Sequence, residues 1–253
     1  MRQIIVRRLF VLLILLGAAG AFWSLLSGYV ADAELNQTAT YYVENTPEEV
    51  GAANIVTAII VTYRGLDTLG EVTVLFLTAA IVAVLLNVQK QAKGSALVDK
   101  ARHNSANSSA QTSTKPRASN ELLQTASQLL TPLILLFGAY IFIHGHLTPG
   151  GGFQGGAIIA SAMLLLLLTD PAKRFSHGLI AAIESLSGLA FVGFAIAGLV
   201  LAGGFLDNKI LPLGEIGELL SAGAIPLIYS LVGLKVGAEF SSMLSSLSET
   251  EEQ

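Results

Sequence analysis

Residues Leu9 to Val30 form one unbroken apolar run, long enough to cover a hydrocarbon core at about 1.5 Å of helix per residue. Further apolar runs recur at Val72 to Val88, Leu129 to Ile143, Ala157 to Leu168, Leu179 to Leu201 and Leu219 to Val236. No single water-soluble core absorbs this much apolar surface. Only 13% of the 253 residues are charged while 53% are hydrophobic, against roughly a quarter charged in ordinary soluble domains. With lipid as solvent, each spanning segment must satisfy its own backbone, and segments of this length do so as helices. The expected fold is therefore an all-α integral membrane protein with about six transmembrane helices. A soluble enzyme is excluded. The net charge of −4 and its uneven distribution speak against nucleic-acid binding. The absence of cysteine rules out disulfides, thiolate zinc sites and iron–sulfur ligation by this chain.

The order of polar and apolar segments predicts the topology. Arg2, Arg7 and Arg8 precede the first run, and Asp32 and Glu34 follow it, which keeps the N-terminus in the cytoplasm. Ala31-Asp32-Ala33 imitates a signal-peptide cleavage site, but the run exceeds the usual h-region of about 7 to 15 residues, so residues 1–33 are expected to be retained. Residues 31–49 contain Asp32, Glu34, Glu44, Glu48 and Glu49 without Lys or Arg and read as an external loop. Val50 to Tyr63 is too short for a full span. Together with a break from Arg64-Gly65 to Gly70 and the helix from Val72 to Val88, it reads as one interrupted element near residues 50–88. Beyond it the composition turns to Ser, Asn, Thr, Gln and Ala, with Lys90, Lys93, Lys100, Arg102, Lys115 and Arg117 against Asp99. That composition cannot form a core. A membrane module at 1–89, a flexible cytoplasmic linker at 90–121 and a four-helix membrane module at 122–253 follow. Lys173 and Arg174 place the loop between the second and third helices of the last module inside. Both termini then fall in the cytoplasm.

Few residues in such a chain carry chemistry. Arg64, Asp67 and Glu71 are spaced by three and four, one face of a helix. A charged group at bilayer depth costs about 2.5 to 3.5 kcal/mol on insertion scales, so it pairs or faces water. Glu71 opens the following span and is the best candidate for exchanging ions or protons, the alternative being that Gly65 and Gly70 end the helix and leave the cluster at the surface. The stretch His144-Gly145-His146-Leu147-Thr148-Pro149-Gly150-Gly151-Gly152-Phe153-Gln154-Gly155-Gly156 joins two helices. Its histidines titrate near physiological pH and suit proton relay, although two of them make no metal site without further ligands. Gly150, Gly151, Gly152, Gly155 and Gly156 suit a tight turn and close backbone approach, and the stretch lacks the Lys-Ser/Thr ending of a nucleotide loop. Glu184 lies inside the fifth span, either functional or reaching the interface. Lys235 and Glu239 are one turn apart near the end of the last run, where they either pair or Lys235 snorkels to the surface. Gly233 and Gly237 make a GxxxG packing pattern on that helix. No metal or cofactor is expected.

The residues Thr131 to Asp170, centred on Tyr140 to Gly156, together with Gly214-Glu215, Ser221-Ala222-Gly223 and Val232 to Gly237, resemble the MnhB/MrpB subunit of Mrp-type Na⁺/H⁺ antiporters. MbhF-type subunits of membrane-bound hydrogenases and sulfane reductases share the pattern. Asn54 to Leu75 resembles the C-terminal part of the MrpA subunit, which stands alone as an MbhE-type subunit in hydrogenase assemblies. The resemblance implies a non-catalytic membrane subunit of a multisubunit Na⁺/H⁺ antiporter, in contact with other antiporter subunits and contributing to a Na⁺ or H⁺ route. It also implies that the acid matching Glu71 belongs to the ion-translocation region. The alternative host is a hydrogenase-like or other redox-driven ion pump.

Overall fold

The computed structural model describes residues 2–28, 34–103, 121–170 and 176–251. Among these, every regular element is helical, and six helices are long and apolar enough to cross a membrane. The chain separates into one unit ending at Tyr41 and a second running from Tyr42. The first contains α1 (Arg2–Ser27), and no residue of its span Arg8–Ser27 is buried. An all-round apolar helix of this kind is suited to lipid contact. The segment expected to be an external loop contains a second helix, α2 (Gln37–Glu49). Asn36 starts it by accepting the Ala39 N–H at 2.8 Å, as an N-cap does.

In the second unit a short helix α3 (Ile55–Ala58) runs into a π-turn at Ile59–Tyr63. The break falls at Arg64, whose backbone leaves helical geometry (φ −123°, ψ 36°). Helix α4 then runs without interruption from Gly65 to His103. Two expectations change here. Gly65 and Gly70 lie inside the helix and do not break it, and the helix continues past the residue at which the first membrane module was expected to end. The rest of the linker, 104–120, lies outside the described residues, as do Lys173 and Arg174.

Four more helices complete the unit: α5 (Glu121–Ile143), α6 (Gly152–Thr169), α7 (His177–Ala197) and α8 (Ile225–Glu251). Gly155 and Gly156 are helical, which gives α6 its spanning length. Helix α8 is the axis, because α4, α5, α6 and α7 all pack against it. It starts later than Leu219, since the backbone at Ala222 and Gly223 is left-handed (φ 63° and 58°). A Cβ on Gly223 would lie 2.2 Å from the Asn208 carbonyl oxygen, so glycine is required there. The helix also continues to Glu251, well beyond the expected end at Val236.

Absent side chains allow the axis to form. A Cβ on Gly156 would meet the Gly233 carbonyl oxygen at 2.7 Å, and one on Gly155 would meet that of Gly138 at 2.6 Å. Helices α5, α6 and α8 therefore approach backbone to backbone, the packing available to membrane helices that lack a hydrophobic driving force between them. Gly156→Ala is expected to cost about 1–3 kcal/mol as an overpacked contact with rigid backbone. Gly193→Ala, with nothing within 4 Å of the new methyl group, is expected to be neutral or mildly stabilising. Thermal unfolding of the two purified variants checks the contrast.

Candidate functional site

The continuation of α8 puts Lys235 and Glu239 on either side of the middle of the span Ile225–Ser248. The Lys235 Nζ donates to Glu239 Oε1. Their side chains are 8% and 0% exposed, so of the two readings open for Lys235 the snorkelling one fails. The reason is geometric: with the helix continuing well beyond it, Lys235 has no nearby surface. Gly188 of α7 makes room for its stem, since a Cβ there would stand 3.5 Å from Lys235 Cδ and Cε. Phe76 of α4 presents its ring to the ammonium, 5.2 Å from Nζ to the centroid, a cation–π contact. Glu184 of α7 is half-buried and close enough for its charge to act on Glu239. The second carboxylate oxygen, Glu239 Oε2, is buried without a hydrogen-bond partner.

The two histidines lie elsewhere, in the loop joining α5 and α6. Asn54 caps α3 by accepting the Val56 N–H, and its Nδ2 donates to the carbonyls of Gly145 and Thr148 at 2.9 and 3.0 Å. Thr57 donates to the Gly145 carbonyl at 2.6 Å, and the Tyr229 hydroxyl of α8 donates to Thr57 Oγ1 at 3.2 Å. These bonds clamp the glycine-rich loop between the two halves of the sequence. His144 stacks on Tyr140 with ring centroids 4.1 Å apart. His146 is wholly buried, and its Nε2–H donates to the Glu218 carbonyl at 3.2 Å, which leaves a buried Nδ1 without a partner. Burial pushes the His146 pKa below 6.5, and nearby His144 pushes the same way, against hydrogen bonding to backbone carbonyls. The ring is therefore neutral at pH 7.

Arg64 and Asp67 form an ion pair of 2.5 Å with side chains 63% and 51% exposed. An exposed pair contributes little to stability. They line a recess of about 410 Å³ with Thr62, Tyr63 and Phe205. Glu71 lies one turn further along α4, exposed, and its charge reaches Tyr229. The structure thus brings Glu184, Lys235 and Glu239 together, groups the two histidines separately, and leaves Arg64, Asp67 and Glu71 at the start of α4. Asn54, Thr57, Phe76, Gly188, Asn208 and Tyr229 were not singled out by sequence. Asn54 had a legible signal, an Asn directly before an apolar run. Phe76 and Gly188 had none.

Buried ionisable groups among glycine-packed helices define a polytopic all-α membrane protein with polar groups inside its bundle. The family model for a domain related to the MnhB subunit of Na⁺/H⁺ antiporters matches residues 122–242, and the model for MbhE, the E component of MBH, matches residues 6–103. The chain belongs to this MnhB/MbhE-type family of membrane subunits. The B component of a Na⁺/H⁺ antiporter from Bacillus subtilis is 44% identical over 81 residues, covering 32% of this chain and 51% of the relative. A probable K⁺/H⁺ antiporter component of combined A/B type from Rhizobium meliloti is 28% identical over 211 residues, covering 74% of this chain and 20% of the relative. A chain in the structure of an archaeal membrane-bound sulfane sulfur reductase complex superposes with a TM-score of 0.72 at 38% identity, covering 96% of this chain and 98% of that one. The chain spans about half the length, or less, of the curated relatives named here.

Two outcomes test the geometry. Lys235→Met leaves a buried unpaired carboxylate and is expected to destabilise by about 3–5 kcal/mol, whereas Lys235→Met with Glu239→Gln loses much less; chemical unfolding of both variants measures the difference. For His146 the folded pKa is depressed, so the clamp is at full strength above about pH 6.5 and weakens as pH falls toward the folded value. Protection factors at Gly145 to Thr148, corrected for the intrinsic pH dependence of amide exchange, are expected to fall in acid, and His146→Phe to flatten that fall.

Proposed function

We propose that this chain is a non-catalytic membrane subunit of a multisubunit complex that exchanges Na⁺ for H⁺. It packs beside the main pumping chains and lines part of the ion or proton route. The observation that carries the reading is the A/B-type K⁺/H⁺ antiporter chain of Rhizobium, whose similarity extends over 74% of this chain and so reaches both halves, with Na⁺ favoured by the Bacillus relative and the MnhB-related domain. On this reading residues 1–89 are an MrpA C-terminal or MbhE-like module, 90–121 a linker, and 122–253 an MnhB/MrpB-like module. The route draws on Glu71, Asp67 and Arg64 at the start of α4 and on Glu184, Lys235 and Glu239 inside the bundle, with the loop of His144 and His146 at the end of α5. Carboxylates serve either ion, as hard oxygen ligands or as proton acceptors. On this reading both termini lie in the cytoplasm of a prokaryotic cell, the side favoured for basic flanks.

A second reading has its own support. The sulfane sulfur reductase match covers 98% of that chain at 38% identity, so a redox-driven complex is an equally natural host. In either host the other subunits carry out catalysis, and this chain has no thiolate with which to ligate a cluster. Purifying the native complex and identifying its subunits separates the two hosts.

Glu71→Gln in the intact complex is expected to lower Na⁺/H⁺ exchange at least tenfold, about 1.4 kcal/mol in the barrier, with assembly unchanged. Exchange in vesicles, measured beside a subunit profile of the purified particle, decides the matter. Full exchange in an intact assembly would leave Glu71 a packing or surface residue.

A further inference from the structure

Helix α8 is packed on four sides, and the ionisable groups facing its central pair can be stated element by element. Helix α7 contributes Glu184, whose charge acts on Glu239. Helix α4 contributes the Phe76 ring at Lys235 and, nearer the start of α8, Glu71 toward Tyr229. Helix α6 contains no Asp, Glu, Lys, Arg or His, and α5 contains only Glu121 at its first residue and Tyr140 near its last. One ammonium, bonded to Glu239, thus stands against two carboxyl groups whose charges act on each other at bilayer depth. Lys235 neutralises one of them through Glu239 Oε1, while Glu239 Oε2 remains enclosed with no donor. An excess negative charge in this setting is resolved by taking up a cation.

A proton answers that requirement better than a metal ion. A hard monovalent or divalent cation is held by several oxygens at once, and among the described residues no three His, Asp or Glu side chains gather as a metal site would require. The Ser187 hydroxyl donates to the carbonyls of Ile183 and Glu184 and that of Ser241 to Gly237, so neither donates to Glu239 Oε2. We propose that the Glu184–Lys235–Glu239 cluster is a proton-holding station inside the bilayer that binds one exchangeable proton, shared between the two carboxyl groups and kept in place by the lysine. Uptake forms one O–H bond at a carboxylate oxygen, and release breaks it and returns the two-carboxylate, one-ammonium state. This proposal rests on the transport reading above and names the ion the buried cluster carries. The station differs from Glu71 because its counter-charge is supplied by this chain.

The test is infrared difference spectroscopy on the whole complex in lipid nanodiscs, with ¹³C-labelled glutamate, between alkaline and acidic buffer. The expected result is a protonated-carboxyl band in the wild type that shifts with the label and is lost in Glu239→Gln or Glu184→Gln. In Lys235→Met the band is expected to persist to more alkaline pH, because the ammonium no longer holds a carboxylate ionised. The wild-type spectrum decides even where a variant fails to assemble, since a labelled protein with no such band at any pH would overturn the station. A band that Na⁺ abolishes at fixed pH would also overturn it, by making the site a Na⁺ site. Exchange activity, measured in parallel, keeps the two readings apart. A band lost in Glu239→Gln with exchange intact leaves the station standing and removes its role in transport, and lost exchange without any wild-type band does the reverse.

Discussion

Hydrocarbon offers no water to a peptide group, and among the described residues that constraint shapes the irregular segments between helices. Where helices break, side chains take over the backbone's hydrogen bonds. At the π-turn before α4, the Thr68 hydroxyl donates to the Ile60 carbonyl at 2.8 Å. Asn208 donates from Nδ2 to the carbonyls of Val50 and Ala222 at 2.8 and 3.0 Å, joining segments 158 residues apart. Asn54 does the same for the turn at Gly145. Removing such a group orphans a buried backbone partner, which costs more than the hydrogen bond itself contributes. The polar residues of the irregular segments are thus structural first, and they allow the chain to be non-helical where its crossings end.

The same scarcity of partners explains why α8 can carry charge. A lysine and a glutamate at mid-span survive only if each is the other's partner and the surrounding helices exclude lipid. The glycine seam provides the exclusion. With Gly155 and Gly156 at the contacts, α6 closes on the backbones of α5 and α8, Gly233 admits the Phe142 ring of α5 against α8, and Gly188 leaves α7 just hollow enough for the lysine stem. Small residues on neighbouring helices are therefore part of the ion pair's environment as much as Phe76 is.

The sequence made the fold class and the number of crossings legible, because a run of apolar residues of spanning length has few alternatives in physics. The start of α4 was less legible, since glycine weakens a helix by only about 1 kcal/mol relative to alanine and packing of Gly65 against Leu206 outweighs it. The helix in residues 37–49 was missed because its polar composition resembles a loop, although Asn36 is a recognisable cap. The spacing of Lys235 and Glu239 gave their pairing, but not their depth. Depth depends on where α8 begins and ends, and that is set by the left-handed backbone at Ala222 and Gly223 and by a polar C-terminal stretch that helix α8 continues through. The influence of Glu184 on Glu239 comes from a different helix and has no signature in sequence.

Two acidic residues in this chain consequently answer to different masters. Glu239 is wholly buried, with its counter-ion Lys235 one turn away on its own helix. Glu71 lies on the exposed side of α4 among Val74, Leu77 and Ile81, apolar residues that are likewise exposed. A carboxylate on such a face requires water, a cation or a donor from another molecule before it can stay ionised in lipid. The chain thus encloses the Lys235–Glu239 pair by itself but leaves Glu71 exposed. If Glu71 takes part in transport as proposed, it does so with a partner outside this chain, whereas Glu239 has its counter-ion one turn away on its own helix.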